Sequence, residues 1–238
     1  YESVPHLTAN RQMAQIWLFD LPSEHASALG DPNHETILPI WSPTGELAYY
    51  DQGSLAYIVY DPRTGDSMHL PNQTGLGGSW SPDGRYFIAA EISITPLNTN
   101  TEVGVSRLLR YNTATGAAVD LTRADDVEDV TPVFSPDGSL IAFGLKYLDP
   151  ARCPLGRHLW MMSADGSAVH PVMTDRLRVD YDFAWSLDGS QLAFVRFDVG
   201  APTSPPELWL VNADGSNPLE LVVGGYAPLG SEISPLLA

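Results

Sequence analysis

Two short segments of the sequence are rich in acidic residues and occupy matching places in a repeated pattern. They are Asp125-Asp126-Val127-Glu128-Asp129 and Asp180-Tyr181-Asp182. Asp129 and Asp180 each lie five residues before the aromatic residue that opens a repeat. Carboxylates that converge on one surface can bind Ca²⁺ or the basic side chains of a peptide. We therefore expect a binding surface here, with a solvated acidic surface as the simpler alternative.

Both acidic segments fall between predicted strands, so we expect them to form loops at one rim of the molecule. A third acidic loop carries Asp31, His34 and Glu35, and longer loops run from Ile92 to Arg107, from Tyr147 to Arg157 and from Phe197 to Pro206. Loops on a rigid scaffold commonly carry binding residues. The candidate binding residues are Asp125, Asp126, Glu128, Asp129, Tyr147, Arg157, Asp180, Tyr181 and Asp182. Ca²⁺ at this rim is the one cofactor considered, although the Asp-x-Asp-x-Asp-Gly pattern of a calcium loop is absent.

Catalytic signatures are missing from the sequence. There is no Gly-x-Ser-x-Gly and no His-Glu-x-x-His segment, and the six histidines show no metal-ligand spacing. The one cysteine, Cys153, lies in a proline-rich segment that has no nearby His and Asp to act as catalytic partners. We therefore interpret it as a thiol without a catalytic role. Asp180 and Asp182 could resemble the paired acids of a glycosidase, yet acidic loops without activity are common on such scaffolds. We expect no catalytic residue.

Charge and hydropathy exclude several classes of partner. The net charge of -17 over 238 residues would repel phosphate backbones and anionic lipid surfaces, so nucleic acid is excluded as a partner. No stretch approaches the ~20 apolar residues of a membrane span, so membrane insertion is not expected. Basic proteins, cations and neutral sugars remain as candidate ligands.

A five-residue motif recurs along the chain. It occurs as Trp41-Ser42-Pro43-Thr44-Gly45, Trp80-Ser81-Pro82-Asp83-Gly84, Phe134-Ser135-Pro136-Asp137-Gly138 and Trp185-Ser186-Leu187-Asp188-Gly189. Proline fixes its own φ, the aspartate side chain can accept a hydrogen bond from a nearby backbone amide, and glycine readily adopts a positive φ. The motif therefore predicts a tight turn between strands. A second turn, such as Asn212-Ala213-Asp214-Gly215, follows the third predicted strand of a repeat. Each repeat therefore predicts four antiparallel strands, with the aromatic residue packed between neighbouring repeats.

The spacing of the repeats predicts an all-β chain that forms one β-propeller domain over residues 1–238. Four complete blades are expected at about 37–74, 76–123, 129–175 and 180–223. A degenerate opening strand at Ile233-Ser234-Pro235 would pair with strands near the N-terminus, so residues 226–238 and 1–30 would share a fifth blade. Closure of five blades would remove the open sheet edges. The alternative is an arc cut from a larger ring.

The repeated Trp-Ser-Pro-Asp-Gly, with Leu-Trp and Ala-Asp-Gly-Ser downstream as at Leu208-Trp209 and Ala213-Asp214-Gly215-Ser216, resembles the TolB-like β-propeller repeat. The likeness covers roughly residues 10–235 and departs from the pattern at Thr44, Phe134 and Leu187. It implies a non-catalytic module, a monomeric ring that binds a protein or peptide in the periplasm or outside the cell. A glycan-binding or glycan-processing propeller is an alternative, favoured if Tyr147, Tyr181 and Phe197 are exposed. The gating propeller of a prolyl-oligopeptidase-like hydrolase is a third.

Overall fold

Strands account for all the regular structure in the described part of the chain. The computed structural model describes residues 13–98, 101–122, 127–149, 156–175, 177–201 and 203–223. Within these ranges no helix is present that could cross a membrane. The strands are β1 (Trp17–Asp20), β2 (His25–Ala28), β3 (Thr36–Trp41), β4 (Leu47–Asp51), β5 (Ala56–Tyr60), β6 (Ser67–Pro71), β7 (Ser79–Trp80), β8 (Tyr86–Asn98), β9 (Thr101–Asn112), β10 (Ala118–Asp120), β11 (Val127–Phe134), β12 (Leu140–Tyr147), β13 (His158–Ser163), β14 (His170–Pro171), β15 (Arg178–Trp185), β16 (Gln191–Asp198), β17 (Glu207–Asn212) and β18 (Leu219–Val223).

Four antiparallel sheets of four strands follow one another along the chain, and each is a meander in which every strand pairs with its sequence neighbour. They are the first blade (β3–β6), the second blade (β7–β10), the third blade (β11–β14) and the fourth blade (β15–β18). β1 and β2 form a separate two-stranded sheet ahead of them. This arrangement confirms the predicted all-β fold built of four-stranded blades.

The repeated turn folds as its residue types predict. Ser135 Oγ donates to Asp137 Oδ1 at 2.6 Å and accepts from the Leu140 amide at 2.9 Å, while Gly138 has a φ of 73°. These hydrogen bonds lower the pKa of Asp137 to about 2. The same serine-to-aspartate bond recurs between Ser186 and Asp188 at 2.7 Å. The turn aspartates therefore cap turns and are not arranged as a series of metal ligands.

The motif tryptophans join neighbouring blades. Trp80 Nε1 donates to the Ile40 carbonyl at 3.0 Å, and Trp185 Nε1 donates to the Val133 carbonyl at 3.2 Å, so each indole contacts the first strand of the preceding blade. The apolar clusters also cross these boundaries, since buried side chains of adjacent blades share them. Trp41 differs because 53% of its surface is exposed. The predicted packing between blades is confirmed for Trp80 and Trp185.

The segment from Ile92 to Arg107, expected to be a loop, is instead mostly a β-hairpin. β8 and β9 stay paired beyond the blade, from Ile92 opposite Ser106 to Asn98 opposite Thr101. The sequence Ile92-Ser93-Ile94-Thr95 carries β-branched residues that favour extended backbone, which explains the difference. The second blade therefore extends a two-stranded arm past the ends of its neighbours.

Closure of the ring by residues 226–238 stays a prediction, because residues 224–238 and 1–12 lie outside the described residues. If Ile233 lies buried in a fifth blade beside β1, removing residues 224–238 loses about 2 kcal/mol of apolar burial. We expect the truncated chain to melt about 4–8 °C lower in a calorimetric scan, given ~2–4 °C per kcal/mol for a domain of this size. Replacing residues 224–238 by a Gly/Ser segment of equal length is the control, and it should melt at the same lowered temperature. An unchanged melting temperature in both variants would contradict closure.

Candidate functional site

The strand directions divide each blade into two ends. The turns of the repeated motif and the turns after the third strands lie at one end, which we call the turn rim. The ends of the second strands and the connections between blades lie at the other end, which we call the loop rim. In the first blade, residues 52–55 and 72–78 belong to the loop rim. All nine candidate binding residues lie at or near this rim in sequence, and those that are described can now be placed.

The acidic segments are strands rather than loops, which corrects the sequence-based expectation. Glu128 and Asp129 lie in β11, and Asp180, Tyr181 and Asp182 lie in β15. The loop interpretation failed because β12 and β16 are eight residues long and pair with β11 and β15 as far as Val127 and Arg178. Asp125 and Asp126 lie outside the described residues.

A bulge interrupts the first strand of three blades at the same position. The residue three before the aromatic has positive φ in each case: Leu38 at 55°, Thr131 at 50° and Asp182 at 52°. The pairing register shifts at the same points. Because a bulge turns side chains away from the regular alternation, Asp182 is exposed although it lies within a strand.

Glu128 is neutralised by basic side chains of its own blade. Its Oε2 lies 3.1 Å from Arg157 Nη2 and 3.5 Å from Lys146 Nζ. Both pairs are partly exposed, so each contributes little to stability in itself. They nevertheless fix the candidate residues Glu128 and Arg157 to each other.

Asp180 forms a buried ion pair. It is 1% exposed, Arg196 is 3% exposed, and Arg196 Nε donates to Asp180 Oδ1 at 2.8 Å. The other carboxylate oxygen accepts from the Leu159 amide of the preceding blade at 3.0 Å. The Arg196 guanidinium also lies against the rings of Phe194 and Trp209, at 5.3 and 5.1 Å from their centroids. Asp180 is therefore a buried residue that links the third and fourth blades through hydrogen bonds, and it is not part of an exposed acidic surface.

Asp129 occupies the matching position in the third blade but has no such partner. It is 0% exposed, and neither carboxylate oxygen has a hydrogen-bond partner. Burial raises the pKa of Asp129 to about 7; the nearby Thr122 hydroxyl opposes this shift, and the Asp120 carboxylate adds to it. The residue opposite Asp129 on β12 is Leu145, whereas the residue opposite Asp180 on β16 is Arg196.

The aromatic candidates are held by ring contacts. Tyr181 is partly exposed and meets Phe197 edge to face with centroids 5.7 Å apart. Tyr147 meets Trp160 in the same manner at 6.0 Å. The seven candidates that the structure describes are thus not gathered into one site. The structure joins Glu128 with Arg157 and buries Asp129 and Asp180 separately.

Two further acidic and histidine groups lie at the loop rim of the first blade. His34 Nδ1 is 2.9 Å from Asp51 Oδ1, so His34 of the third predicted acidic loop has a definite partner. Across the described ranges, no three His, Cys, Asp or Glu side chains are grouped so that they could hold a metal ion. Ca²⁺ binding therefore stays a prediction that would depend on residues outside those ranges.

Sequence reasoning missed the apolar part of the loop rim. Large apolar side chains stand exposed there in three blades, namely Leu55, Leu76, Ile92 and Leu177. Leu55 and Leu76 belong to the same region of the first blade, since the Asn72 amide donates to the Leu55 carbonyl at 2.9 Å and the Tyr57 hydroxyl donates to the Leu76 carbonyl. The signal in the sequence was a leucine inside a glycine-rich or polar connection, as in Gly75-Leu76-Gly77.

Comparison with known proteins identifies the fold. No family model matches the sequence. Among solved structures, oligogalacturonate lyase from Vibrio parahaemolyticus superposes with a TM-score of 0.66 at 18% identity, over 88% of this chain and 59% of that one. TolB from Acinetobacter baumannii gives 0.57 at 17% identity, over 89% and 49%. A structure from a study of two prolyl endopeptidases gives 0.61 at 13% identity, over 87% and 32%.

This chain therefore spans about six tenths of the lyase and half of TolB. At these identities the comparison shows the fold and nothing finer. The resemblance to TolB-like propellers that the repeat predicted is confirmed at that level: by fold, this chain is a β-propeller similar to TolB and to oligogalacturonate lyase.

Proposed function

We propose that this chain is a non-catalytic propeller module that binds a protein or peptide through its loop rim, outside the cytoplasm. The observation that carries the proposal is the set of exposed apolar side chains at that rim, set in an acidic surface. A partner that fits would present apolar side chains together with lysine or arginine. The extracytoplasmic location and the monomeric ring follow from the likeness to TolB-like repeats and belong to the same proposal.

The apolar side chains support a docking surface because they share one end of the molecule. Single exposed leucines are common on soluble proteins, whereas apolar groups that share one surface mark contact sites. Leu55 is 51% exposed, and Leu76 lies in the same region of the first blade. Ile92 at the base of the β8–β9 arm and Leu177 before β15 are also exposed at this rim. Burial of such side chains by a partner would supply most of the binding free energy.

Charge supports a basic partner. The net charge is -17, and Asp175 and Asp182 are exposed at the loop rim of the fourth blade. Acidic groups around an apolar contact raise the rate of association with a basic partner and discriminate against acidic ones. Glu128 and Asp180 do not contribute to this attraction in full, because Lys146, Arg157 and Arg196 already neutralise them.

A neutral glycan is the second candidate ligand. The Tyr181–Phe197 ring pair is the observation that favours it, since aromatic rings at a rim can stack on sugar rings. The fold neighbour oligogalacturonate lyase is by its name an enzyme of a carboxylated sugar polymer. An anionic glycan suits this acidic chain poorly, so a neutral one is the better form of this alternative. The likeness to a prolyl endopeptidase keeps a gating role open only for a longer protein with a hydrolase domain.

Selection from a displayed library of random peptides tests the rim. We expect the native chain to enrich peptides that combine lysine or arginine with apolar residues. Leu55→Asp together with Leu76→Asp should weaken binding of an enriched synthetic peptide at least tenfold in a calorimetric titration, because the apolar contact is replaced by charge. Leu187→Asp is the matched control, since Leu187 is 98% exposed but lies in a turn at the turn rim. Equal affinity in both variants, or no enrichment, would count against the proposal.

A further inference from the structure

A hydrogen bond of one kind recurs at two boundaries between consecutive sheets, at the position that Asp129 and Asp180 occupy in the third and fourth blades. The position is five residues before the aromatic, and its side-chain oxygen accepts from a backbone amide of the preceding sheet. Thr36 Oγ1 accepts from the Ile16 amide at 2.8 Å, and Asp180 Oδ2 accepts from the Leu159 amide at 3.0 Å. We call this bond the seam clasp.

The first and second blades cannot form the clasp, because the residue at this position is Gly75. The seam between the second and third blades also lacks the clasp, although Asp129 offers an acceptor there. Leu108 is the counterpart of Leu159, because the Leu121 amide donates to the Leu108 carbonyl as the Val172 amide donates to the Leu159 carbonyl. Yet the Leu108 amide donates to Thr122 Oγ1 at 3.2 Å, within its own blade. Asp129 therefore stands at the clasp position with both oxygens lacking a partner.

The backbone of Asp129 is anchored in place although its side chain is not. Ser106 Oγ on β9 donates to the Asp129 carbonyl at 2.8 Å. The Thr122 hydroxyl lies close enough to the Asp129 carboxyl to lower its pKa, which places that carboxyl beside the end of the second blade. Asp120, at the end of β10, raises the pKa of Asp129. The charged groups on the strands packed against β11 are Glu91 on β8, Arg107 and Arg110 on β9, Lys146 on β12, and Arg178, Asp180 and Asp182 on β15. Arg107 pairs with Asp120 at 3.3 Å, Lys146 pairs with Glu128, and Glu91 accepts from the Gln73 amide at 2.9 Å.

We propose that ionisation of Asp129 transfers the Leu108 amide from the Thr122 hydroxyl to the Asp129 carboxylate, so that the seam between the second and third blades responds to proton concentration. The protonated acid is neutral and tolerates burial without a strong donor. The ionised acid needs a donor, because a buried charge without hydrogen bonds is very costly. The Leu108 amide is the counterpart of the Leu159 amide, which is the donor of the clasp between the third and fourth blades. With the pKa of Asp129 raised to about 7 by burial, the exchange falls near neutral pH.

Two roles are possible for Thr122, and they predict opposite effects of Thr122→Val on the pKa of Asp129. If Thr122 holds the amide away from Asp129, then Thr122→Val leaves the Leu108 amide without an acceptor and favours the ionised carboxylate. Loss of the Thr122 hydroxyl by itself raises the pKa of Asp129, but the freed Leu108 amide should outweigh that loss. The apparent pKa of Asp129 should then fall by at least one unit, a tenfold change in the acid dissociation constant. If Thr122 served only as a hydroxyl donor to Asp129, the same substitution would raise that pKa.

The test is an NMR titration of the full chain between pH 5 and pH 9, with ¹³C-labelled aspartate and ¹⁵N-labelled leucine. We expect the Leu108 amide signal to move with the same midpoint as the Asp129 carboxyl carbon, and we expect that movement to vanish in Asp129→Asn. We expect Thr122→Val to shift the midpoint downward. A Leu108 amide that does not follow Asp129, or a midpoint that is unchanged or raised in Thr122→Val, would overturn the proposal. Neither result depends on whether the loop rim binds a partner.

Discussion

We expect Asp180→Ala to lower the free energy of unfolding by about 3–5 kcal/mol, the usual cost of removing one partner from a buried ion pair. The substitution leaves the Arg196 charge, 3% exposed, between Phe194 and Trp209 without its carboxylate. One terminal nitrogen of the Arg196 guanidinium is already buried without an acceptor, so the loss of Asp180 adds a second unpartnered nitrogen. The Leu159 amide also loses its acceptor, so the seam between the third and fourth blades loses a hydrogen bond as well.

Urea unfolding followed by tryptophan fluorescence measures this loss, because Trp185 and Trp209 lie in the same blade. Glu220→Ala is the matched control, an exposed acid on β18 whose removal should change stability by less than about 0.5 kcal/mol. Asp180→Leu combined with Arg196→Leu should recover most of the loss, since an apolar pair can replace a buried ion pair at little cost. A double variant as unstable as Asp180→Ala would show that the ion pair is not the source.

The blades could be predicted from the sequence because their signals are local. Pro136-Asp137-Gly138 fixes a turn by backbone angle and by a hydrogen bond between neighbours, and alternating apolar residues on each side give the strands. The hydrogen bonds found at Ser135 are those that the residue types require. Chain closure, in contrast, depends on contacts between distant segments, for which the sequence offers only matching spacing.

The arrangement of the acidic residues could not be predicted, because it depends on register. Asp180 and Arg196 are sixteen residues apart and face each other only because β15 and β16 pair with Asp180 opposite Arg196. A shift of one residue would place Arg196 on the other face. One signal was nevertheless readable: Leu192-Ala193-Phe194-Val195-Arg196 aligns with Ile141-Ala142-Phe143-Gly144-Leu145. The third blade has leucine where the fourth has arginine, which singles out Asp129 as the acid without a cation.

That difference leads to the second large effect, the pH dependence of stability at Asp129. The folded-state pKa is about 7 and the ordinary aspartate value is 3.8, so between about pH 4 and pH 7 the folded chain binds a proton that the unfolded chain has released. Stability from this group is therefore fully present below about pH 4 and is lost as the pH rises through about 7. Three pKa units at 1.36 kcal/mol each give a loss of up to about 4 kcal/mol, reduced to the extent that the seam rearranges.

Asp129→Asn removes this dependence, since the amide has a similar shape and does not ionise. We expect its stability relative to the native chain to improve by up to about 4 kcal/mol between pH 4 and pH 8, as measured by urea unfolding at each pH. Asp137→Asn is the control: because the pKa of Asp137 is lowered to about 2, its stability difference from the native chain should stay constant from pH 4 to pH 8 and should shrink only as the pH falls through about 2. A stability difference for Asp129→Asn that is constant from pH 4 to pH 8 would mean that Asp129 is ionised and stabilised throughout. A clasp to the Leu108 amide would then have to be present already at low pH.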